Sequence, residues 1–223
     1  MSVELTSESV VFAIPTQSRV AYNAVKRLTD LVIAIPGVIL LIPTTLLVKL
    51  AYMLAGDFAP VFYTQTRIGK RGRTFRIYKY RTMTIDADTM LTDLLTDPRL
   101  FKEYTTTHKL TNDPRITKVG RFVRRYSIDE LPQLINILAG HMSVVGNRPY
   151  MLKEKPHMGE HYVNIIKTKP GLTGIWQVSG RNDLSFARRL HLEAEYSLNA
   201  SLRHDLKIFQ KTFAAVFKAE GAK

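Results

Sequence analysis

The chain has 223 residues, of which 45% are hydrophobic and 23% charged, and it contains no cysteine. This composition is typical of a globular protein and excludes a wholly disordered or collagenous chain, and the lack of cysteine excludes disulfides, thiolate metal sites and a cysteine nucleophile. The net charge of +13 indicates an anionic partner, such as nucleic acid, a membrane surface or a phosphorylated substrate. The whole excess lies beyond residue 66, because residues 1–66 contain four basic and four acidic side chains.

Residues 1–20 show no pattern that suggests chemistry, and we predict a flexible N-terminal tail there. The next feature is an uncharged apolar run of 18 residues, 31–48. As a helix this run would be about 27 Å long, close to the ~30 Å hydrocarbon core of a bilayer. A buried core helix is the alternative interpretation.

Two features favour a membrane segment that enters and leaves on the same face. Pro36 and Pro43 each remove a backbone donor, which disfavours a straight span. Basic residues flank the run on both sides, with Lys26 and Arg27 before it and seven basic side chains between residues 67 and 81 after it. Basic residues near a membrane segment tend to stay on the cytoplasmic side, so both flanks favour the same side.

We therefore predict a re-entrant helix–break–helix over residues 21–58, with the break near Pro43. A fully spanning helix is the alternative. Residues 59–223 are predicted to form a catalytic domain on the cytosolic face of the membrane.

Several secondary-structure elements are predicted within that domain. Two β-rich runs, 61–68 and 74–83, are joined by a glycine-containing turn and indicate a hairpin. Residues 84–107 are predicted to form a short helix and loops. The clearest helix is predicted over residues 127–138, where apolar residues repeat every three or four positions and Gly140 follows.

A short buried strand is predicted over residues 142–145 and a helix over residues 188–198. The C-terminal region contains an apolar stripe at helical spacing, made of Leu202, Leu206, Phe209, Phe213 and Phe217. That helix could lie on a membrane interface or pack onto the body, and the pattern alone favours neither.

Asp129 and Glu130 form a carboxylate pair that follows three arginines in the segment 121–125. One interpretation is structural, because Ser127 and Glu130 have the spacing of a capping box at a helix N-terminus. The other is functional: a carboxylate held at a helix end beside arginines should have a lowered pKa and stay ionised. Such an oxygen is a metal ligand or a nucleophile toward phosphorus, and the arginines would bind phosphate oxygens.

Two further segments contain matching groups. Arg148 lies in a rigid turn after the strand predicted over residues 142–145. Residues 169–182 contain regularly spaced glycines and the only tryptophan. Each alone could be an ordinary turn with a solvated arginine, but together they suggest a diphosphate site at a bilayer. No nucleotide-binding glycine motif, serine hydrolase motif or zinc protease motif occurs, and His157 with His161 alone is weak evidence for zinc.

In combination, five motifs resemble the bacterial sugar transferases, the small monotopic phosphoglycosyl transferases that begin surface-polysaccharide assembly. The resemblance covers about residues 26–218, includes the proline-broken apolar helix, and is far more specific than any single motif. The motifs are Lys26-Arg27-x-x-Asp30, Phe75-x-x-Tyr78-Lys79-Tyr80-Arg81-Thr82-Met83, Ser127-x-Asp129-Glu130-Leu131-Pro132-Gln133-Leu134, Met142-Ser143-x-Val145-Gly146-x-Arg148-Pro149 and Pro170-Gly171-x-Thr173-Gly174-x-Trp176-Gln177-Val178-x-Gly180-Arg181-Asn182.

The resemblance implies transfer of a hexose-1-phosphate, of glucose or galactose, from a UDP-sugar to undecaprenyl phosphate with release of UMP. It further implies a covalent aspartyl–phosphosugar intermediate and Mg²⁺ as cofactor. The expected place is the cytoplasmic face of the bacterial inner membrane, at the first membrane step of exopolysaccharide, capsule or O-antigen synthesis. The implied partners are these two substrates and membrane lipid, without nucleic acid, and a homo-oligomer is left open.

The fold expected is α+β and mainly helical: an N-terminal re-entrant membrane helix, a small β-hairpin and a helical catalytic body with amphipathic interfacial helices. Carried over residue by residue, the resemblance implies that Asp129 is the nucleophile and a Mg²⁺ ligand, and that Glu130 is its acid–base or positioning partner. The remaining implied site residues fall into two groups. Those expected to bind phosphate or substrate are Lys79, Arg124, Arg148, Gln177 and Arg181, and those expected to anchor the chain in the membrane are Lys26, Arg27, Asp30 and Pro43.

The chain departs from the family pattern at two positions. Ile42 stands where the family usually has serine before the kink proline, so Thr44 or Thr45 is expected to bond a carbonyl freed by the proline. Asn147 replaces the proline that the family favours before the arginine of the Gly-x-Arg-Pro turn, which predicts a less rigid turn.

Two other classes of function compete with this interpretation. A nucleic-acid-binding protein would explain the net charge of +13, and aromatic residues interleave with basic ones over residues 75–81. The uncharged apolar run argues against it. A membrane-attached scaffold that only binds anionic lipid is the second rival, and unlike an enzyme it would tolerate Asp129→Asn.

Overall fold

The computed structural model describes residues 16–107, 110–180 and 184–217. Of the predicted tail, residues 1–15 lie outside this part of the chain. Residues 16–20 belong to the first helix, so the prediction of a tail is wrong for them. The helices are α1 (Thr16–Leu54), α2 (Ala87–Leu94), α3 (Pro98–Thr107), α4 (Lys118–Arg125), α5 (Gln133–Leu138), α6 (His161–Ile165), α7 (Ile175–Val178), α8 (Phe186–Leu198) and α9 (Leu202–Phe217). The strands are β1 (Phe62–Ile68), β2 (Thr74–Tyr80), β3 (Ser143–Val145) and β4 (Gly171–Thr173), and single 3-10 segments span Lys70–Gly72, Ile128–Glu130 and Leu152–His157. The mainly helical α+β architecture is therefore confirmed.

The predicted hairpin is confirmed as the antiparallel pair β1–β2, in which Phe62 lies opposite Tyr80. Its turn contains a left-handed residue, Gly72 at φ 76°, where glycine has no steric penalty. Because side chains alternate along a strand, Lys79 lies on the same face of β2 as the buried Ile77. This register places the Lys79 side chain at the edge of the core.

A second, parallel sheet pairs β3 with β4 and brings two distant motifs together. The backbones approach so closely that a Cβ on Gly171 would lie 2.1 Å from the Gly146 nitrogen. Glycine is therefore required at position 171 for this approach. As a result, the turn that carries Arg148 lies beside the segment that carries Trp176.

The main core lies between β2, α5, the second sheet and α9, and it includes one face of α1. Ala34 and Leu41 of α1 are buried among residues such as Ile77, Leu134 and Ile137. The other face of α1 is exposed and strongly apolar. Its exposed large side chains are Val20, Val25, Leu28, Val32, Ile35, Ile39, Leu40, Ile42, Leu46, Leu47, Leu50, Met53 and Leu54.

Within the described residues, α1 is the one helix long and apolar enough to cross a membrane, judged by its length and composition. Together with its exposed apolar face, this supports membrane association. The helix runs without interruption from Thr16 to Leu54 and contains both Pro36 and Pro43, so the predicted re-entrant break is not confirmed. The hydroxyl of Thr44 donates to the Leu40 carbonyl at 2.7 Å. The carbonyl that loses its N–H donor at Pro43 is that of Ile39, so this bond is not the expected one to the freed carbonyl.

The motif predicted as a membrane anchor ties α1 to the rest of the protein. Arg27 donates to the carbonyls of Ile137 (2.6 Å) and Leu138 (2.9 Å) at the end of α5. The buried Asp30 accepts hydrogen bonds from the Ser143 hydroxyl at 2.9 Å and from the next backbone N–H at 2.8 Å. Two further contacts complete the connection: Lys26 donates to Asp205 at 2.7 Å, and Thr45 pairs with the Tyr80 hydroxyl at 2.7 Å. Pro43 lies exposed on the outer face of α1.

The helix predicted over residues 127–138 is wrong in its first part. Ser127 is left-handed (φ 56°, ψ 22°), a single 3-10 turn follows over Ile128–Glu130, and α5 begins only at Gln133. The predicted capping box is absent, because Ser127 makes no side-chain cap hydrogen bond. Pro132 explains the delay, since it has no N–H to donate into a helix that began earlier.

The predicted C-terminal helix is confirmed as α9, but the predicted stripe is not its buried face. Leu202 and Leu206 are exposed, whereas Asp205 and Ile208 are buried. Phe209 packs against the main core, and the side chains of Phe213 and Phe217 lie outside the described part of the chain.

Candidate active site

A small cleft opens between β2, the 3-10 turn Ile128–Glu130, the turn after β3, and α7. It brings together four predicted site residues from four separate motifs: Lys79, Glu130, Arg148 and Gln177. The remaining lining residues are Arg67, Ile77, Gln133, Pro149, Gly171, Leu172 and Trp176. The cleft therefore combines carboxylate, cationic, amide and aromatic groups on one surface.

The carboxylate end of the cleft is built on the short turn before α5. Lys79 donates to Glu130 across a 2.9 Å ion pair in which both side chains stay partly exposed. Arg124 donates to the Thr82 hydroxyl at 2.8 Å, and the charges of Lys79 and Arg124 both act on Asp129. Because Glu130 pairs with Lys79, its side chain is not committed to capping the backbone.

The environment of Asp129 reverses one prediction. Burial, and next the neighbouring charge of Glu130, raise the pKa of Asp129 to about 6, whereas Lys79 and Arg124 act in the opposite direction. The predicted lowering of this pKa is wrong, because the predicted helix N-terminus is absent and the carboxyl is half-buried beside a like charge. The group is still mostly ionised at pH 7, as a nucleophile must be.

The other end of the cleft, which we call the arginine end, is lined by Arg67, Arg148 and Trp176, and Arg189 packs beside it on the Trp176 ring. The guanidinium carbons of Arg148 and Arg189 lie 5.4 Å and 4.5 Å from the Trp176 ring centroid. Burial, and next the charge of Arg148, lower the pKa of Arg67 to about 10. Its nearest carboxylate among the described residues, on Glu154, is 4.0 Å away. Like charges held this close favour the binding of an anion.

Unsatisfied polar atoms at this end also indicate a ligand. Among the buried side-chain atoms of the described residues that have no hydrogen-bond partner, five lie in or beside this end of the cleft: Nε of Arg67, Arg148 and Arg189, Nε1 of Trp176 and Oε1 of Gln177. A buried polar group left unsatisfied costs about 1–3 kcal/mol, so proteins rarely leave several together. Four of the five are donors, and the acceptor oxygens of a phosphate would suit them.

Asn147 compensates for the proline that the resemblance led us to expect. Its side-chain nitrogen donates to the Ile165 carbonyl at 2.9 Å, to the Thr168 hydroxyl at 3.2 Å and to the Ser197 hydroxyl at 2.6 Å. The residue is 2% exposed. The turn is therefore fixed by hydrogen bonds, and the prediction of a less rigid turn does not hold.

Asp129 and Glu130 have the chemistry to hold Mg²⁺ jointly with a substrate. Mg²⁺ is usually bound by one or two carboxylates together with substrate phosphates and water. No cluster of three or more His, Cys, Asp or Glu that could hold a metal occurs among residues 16–107, 110–180 and 184–217. The donor set thus fits a shared site and not an all-protein cage.

Sequence reasoning missed several residues of the cleft. Arg67 was counted only as a flanking charge, and Trp176 only as part of a motif, although a lone tryptophan between glycines is a usable signal. Arg181 falls outside the described residues. Of the basic cluster after the apolar run, Arg67 and Lys79 line the cleft and the buried Arg81 binds Asp57 through two 2.9 Å contacts, so these three are not free to face a membrane.

Two of the aromatic residues that interleave with basic ones over residues 75–81 are buried. Phe75 and Tyr80 are 8% and 1% exposed, so their rings cannot stack on bases. The two residues lie on opposite faces of β2 and are buried in two different hydrophobic clusters.

Comparison with known proteins agrees with this geometry. The family model described as bacterial sugar transferase matches residues 21–219. The chain belongs to the bacterial sugar transferase family. It is 40% identical over 220 residues to the exopolysaccharide production protein ExoY of Sinorhizobium fredii, and the match covers 97% of each chain.

Two larger relatives have more specific names. The undecaprenyl-phosphate galactose phosphotransferase of Salmonella typhimurium is 41% identical over 88% of this chain and 41% of its own length. The UDP-glucose:undecaprenyl-phosphate glucose-1-phosphate transferase of Escherichia coli is 35% identical over 86% of this chain and 39% of its own length. The chain thus spans about two fifths of the length of these curated relatives.

Proposed function

We propose that this sugar transferase moves a hexose-1-phosphate, of glucose or galactose, from a UDP-sugar to undecaprenyl phosphate and releases UMP. The observation that carries the proposal is the cleft, which places Glu130, the neighbour of Asp129, on the same surface as buried cationic donors that have no hydrogen-bond partner among the described residues. The names of the relatives, which include galactose and glucose phosphotransferases that act on undecaprenyl phosphate, support the substrate class.

In the first step, a carboxylate oxygen of Asp129 attacks the phosphorus that bears the sugar. A bond forms between this oxygen and phosphorus, the bond from phosphorus to the bridging oxygen breaks, and UMP leaves with the bridging oxygen and its electron pair. In the second step, a phosphate oxygen of undecaprenyl phosphate attacks the same phosphorus. Asp129 is released and the product is undecaprenyl diphosphate sugar.

The other residues of the cleft orient the substrate and balance its charge. Arg148 and Arg67 bind diphosphate oxygens, which satisfies donors that are otherwise buried and unpaired. Lys79 holds Glu130 beside Asp129 and favours the ionised nucleophile. Asp129 and Glu130 would hold Mg²⁺, which neutralises charge that develops on the phosphate oxygens when it is bound.

The membrane supplies the second substrate. The exposed apolar face of α1 would lie in the bilayer of the inner membrane, with the cleft on the cytoplasmic side where UDP-sugars are available. A re-entrant path for α1 is part of this proposal. The reaction would be the first membrane step of exopolysaccharide, capsule or O-antigen synthesis.

The test uses full-length protein in detergent, Mg²⁺ and a panel of UDP-sugars, without a lipid acceptor. We expect one UDP-sugar to give a stoichiometric burst of UMP and a protein mass increased by one sugar-phosphate. Addition of undecaprenyl phosphate should remove the adduct and restore turnover. UMP release that requires both substrates together, with no adduct in the mass spectrum, would contradict the covalent route.

A further inference from the structure

One face of α8 contacts the arginine end of the cleft through three residues spaced one helical turn apart, Arg189, Glu193 and Ser197. Arg189 lies over the Trp176 ring at 4.5 Å, and Ser197 accepts from the side chain of Asn147 at 2.6 Å. Residues four apart on a helix lie on the same face, so these contacts belong to one surface. The middle residue of the three has no role in the reaction described above.

Glu193 is an acidic residue whose position needs an explanation. Its side chain is 0% exposed, and within the described chain it forms no salt bridge within 4.0 Å. Its Oε1 accepts the backbone N–H of Arg148 at 2.8 Å, and the buried Tyr150 hydroxyl interacts with the same carboxylate. Burial raises the pKa of Glu193 to about 7, against the opposing effects of the Arg148 N–H, Tyr150 and the guanidinium groups of Arg148 and Arg189. Burying such a group is costly, which indicates a specific use.

The hydrogen bond that Glu193 accepts fixes the backbone of Arg148, whose side chain lines the cleft. Arg148 lines the cleft, and its guanidinium lies 5.4 Å from the Trp176 centroid. The neighbouring Asn147 is held by Ser197 from the same helix face. The turn is therefore attached to α8 at two consecutive residues, which fixes the backbone from which the Arg148 side chain extends.

We propose that Glu193 is a positioning residue for sugar-phosphate transfer, which holds the Arg148 backbone so that the guanidinium faces the donor diphosphate. This inference rests on the proposed function for its consequence but not for its geometry. Glu193 touches no substrate in this account and acts only through Arg148.

The first experiment reads the geometry without substrate. Trp176 is the only tryptophan in the chain, so intrinsic fluorescence and its quenching by iodide report on the ring that Arg148 and Arg189 cover. Full-length protein in detergent is compared with Glu193→Met, Glu193→Gln and Arg148→Ala. The matched control is Glu195→Met, because Glu195 is exposed on the same helix.

We expect Glu193→Met to shift the emission and quenching toward those of Arg148→Ala, because the Arg148 N–H loses its acceptor. Glu193→Gln should stay close to the wild type, because an amide oxygen can accept the same bond. Glu195→Met should be indistinguishable from the wild type. A Glu193→Met protein with wild-type fluorescence would overturn the proposal. If circular dichroism shows that this variant does not fold, Glu193→Leu is used for the same comparison.

The second experiment measures UMP release and the donor KM in the same variants. Because a small misplacement of a positioning group can cost up to about 100-fold, we expect Glu193→Met to reduce kcat/KM by about 10- to 100-fold, mainly through KM. Glu193→Gln should retain most of the wild-type kcat/KM. In an Arg148→Ala background, Glu193→Met should lower kcat/KM by less than about twofold, because the effects of two residues that act through one another are not additive.

An equal loss in both backgrounds would show that Glu193 acts independently of Arg148 and would overturn the proposal. The two proposals fail in distinguishable ways. A wild-type protein that releases no UMP from any UDP-sugar contradicts the function, while the fluorescence comparison still decides whether Glu193 positions Arg148.

Discussion

The two ends of the cleft differ in how they are built. At the carboxylate end, Glu130 and Lys79 are paired at 2.9 Å and partly exposed to solvent. At the arginine end, polar atoms of Arg148, Arg189 and Trp176 are buried without partners. A satisfied, accessible pair is suited to chemistry, whereas unsatisfied buried donors are suited to binding. The comparison predicts that substitutions at the two ends change different kinetic constants.

The largest effect is expected at the carboxylate end. Asp129→Asn should reduce turnover by about 1,000-fold or more and abolish the phosphosugar adduct, because the amide cannot act as the nucleophile. Binding of the UDP-sugar, measured by calorimetry, should change little. The matched control is Asp93→Asn, an exposed carboxylate of α2. Retained turnover in Asp129→Asn would exclude the proposed mechanism.

A smaller effect, of a different kind, is expected at the arginine end. Arg148→Ala should lower kcat/KM by about 10- to 100-fold through a higher donor KM, because charge-assisted hydrogen bonds to phosphate are lost. The adduct should still form at saturating donor. Arg121→Ala, which removes an exposed arginine of α4, serves as the control. An unchanged KM would show that the arginine end does not bind the donor.

The smallest effect is expected for the residue that supports the nucleophile. Lys79→Ala should reduce kcat by about tenfold and move the acid limb of the pH–rate profile to higher pH. The sign follows from the charges: Lys79 lowers the pKa of Asp129, so its removal raises that pKa further above 6 and activity is lost earlier as pH falls. The limb belongs to the Asp129/Glu130 pair, because the two carboxylates are coupled. Lys118→Ala on α4 is the control, and an acid limb that stays in place would contradict the assigned interaction.

Much of the fold could be predicted because the relevant signals are local. The alternation of β1 and β2, the turn between them, and the apolar spacing of α8 depend on residues close together in the chain. The helix predicted over residues 127–138 failed for an equally local reason, because Pro132 ends the first turn and Ser127 is left-handed. Apolar spacing alone did not reveal this interruption.

The site could be predicted only in part. Motifs identified Asp129, Lys79 and Arg148, since their residue types suit phosphoryl transfer. They did not identify Arg67 or Glu193, because an arginine on a strand and a glutamate on a helix have no local mark of function. Both are distinguished by burial and by an interaction with the distant Arg148. For Glu193 this is a hydrogen bond to the Arg148 backbone N–H, and for Arg67 it is the effect of the Arg148 charge.

The sequence by itself determined the family, the order of the hairpin and helices, and which side chains could act as nucleophile and phosphate ligands, because all of these depend on residue type and short-range spacing. Only the tertiary structure decided that the anchor motif docks α1 onto α5 and β3, that Asp129 has a raised and not a lowered pKa, and that α8 holds the Arg148 turn. The physical reason is that desolvation, charge proximity and hydrogen-bond geometry depend on distances in space, which short-range sequence patterns do not encode.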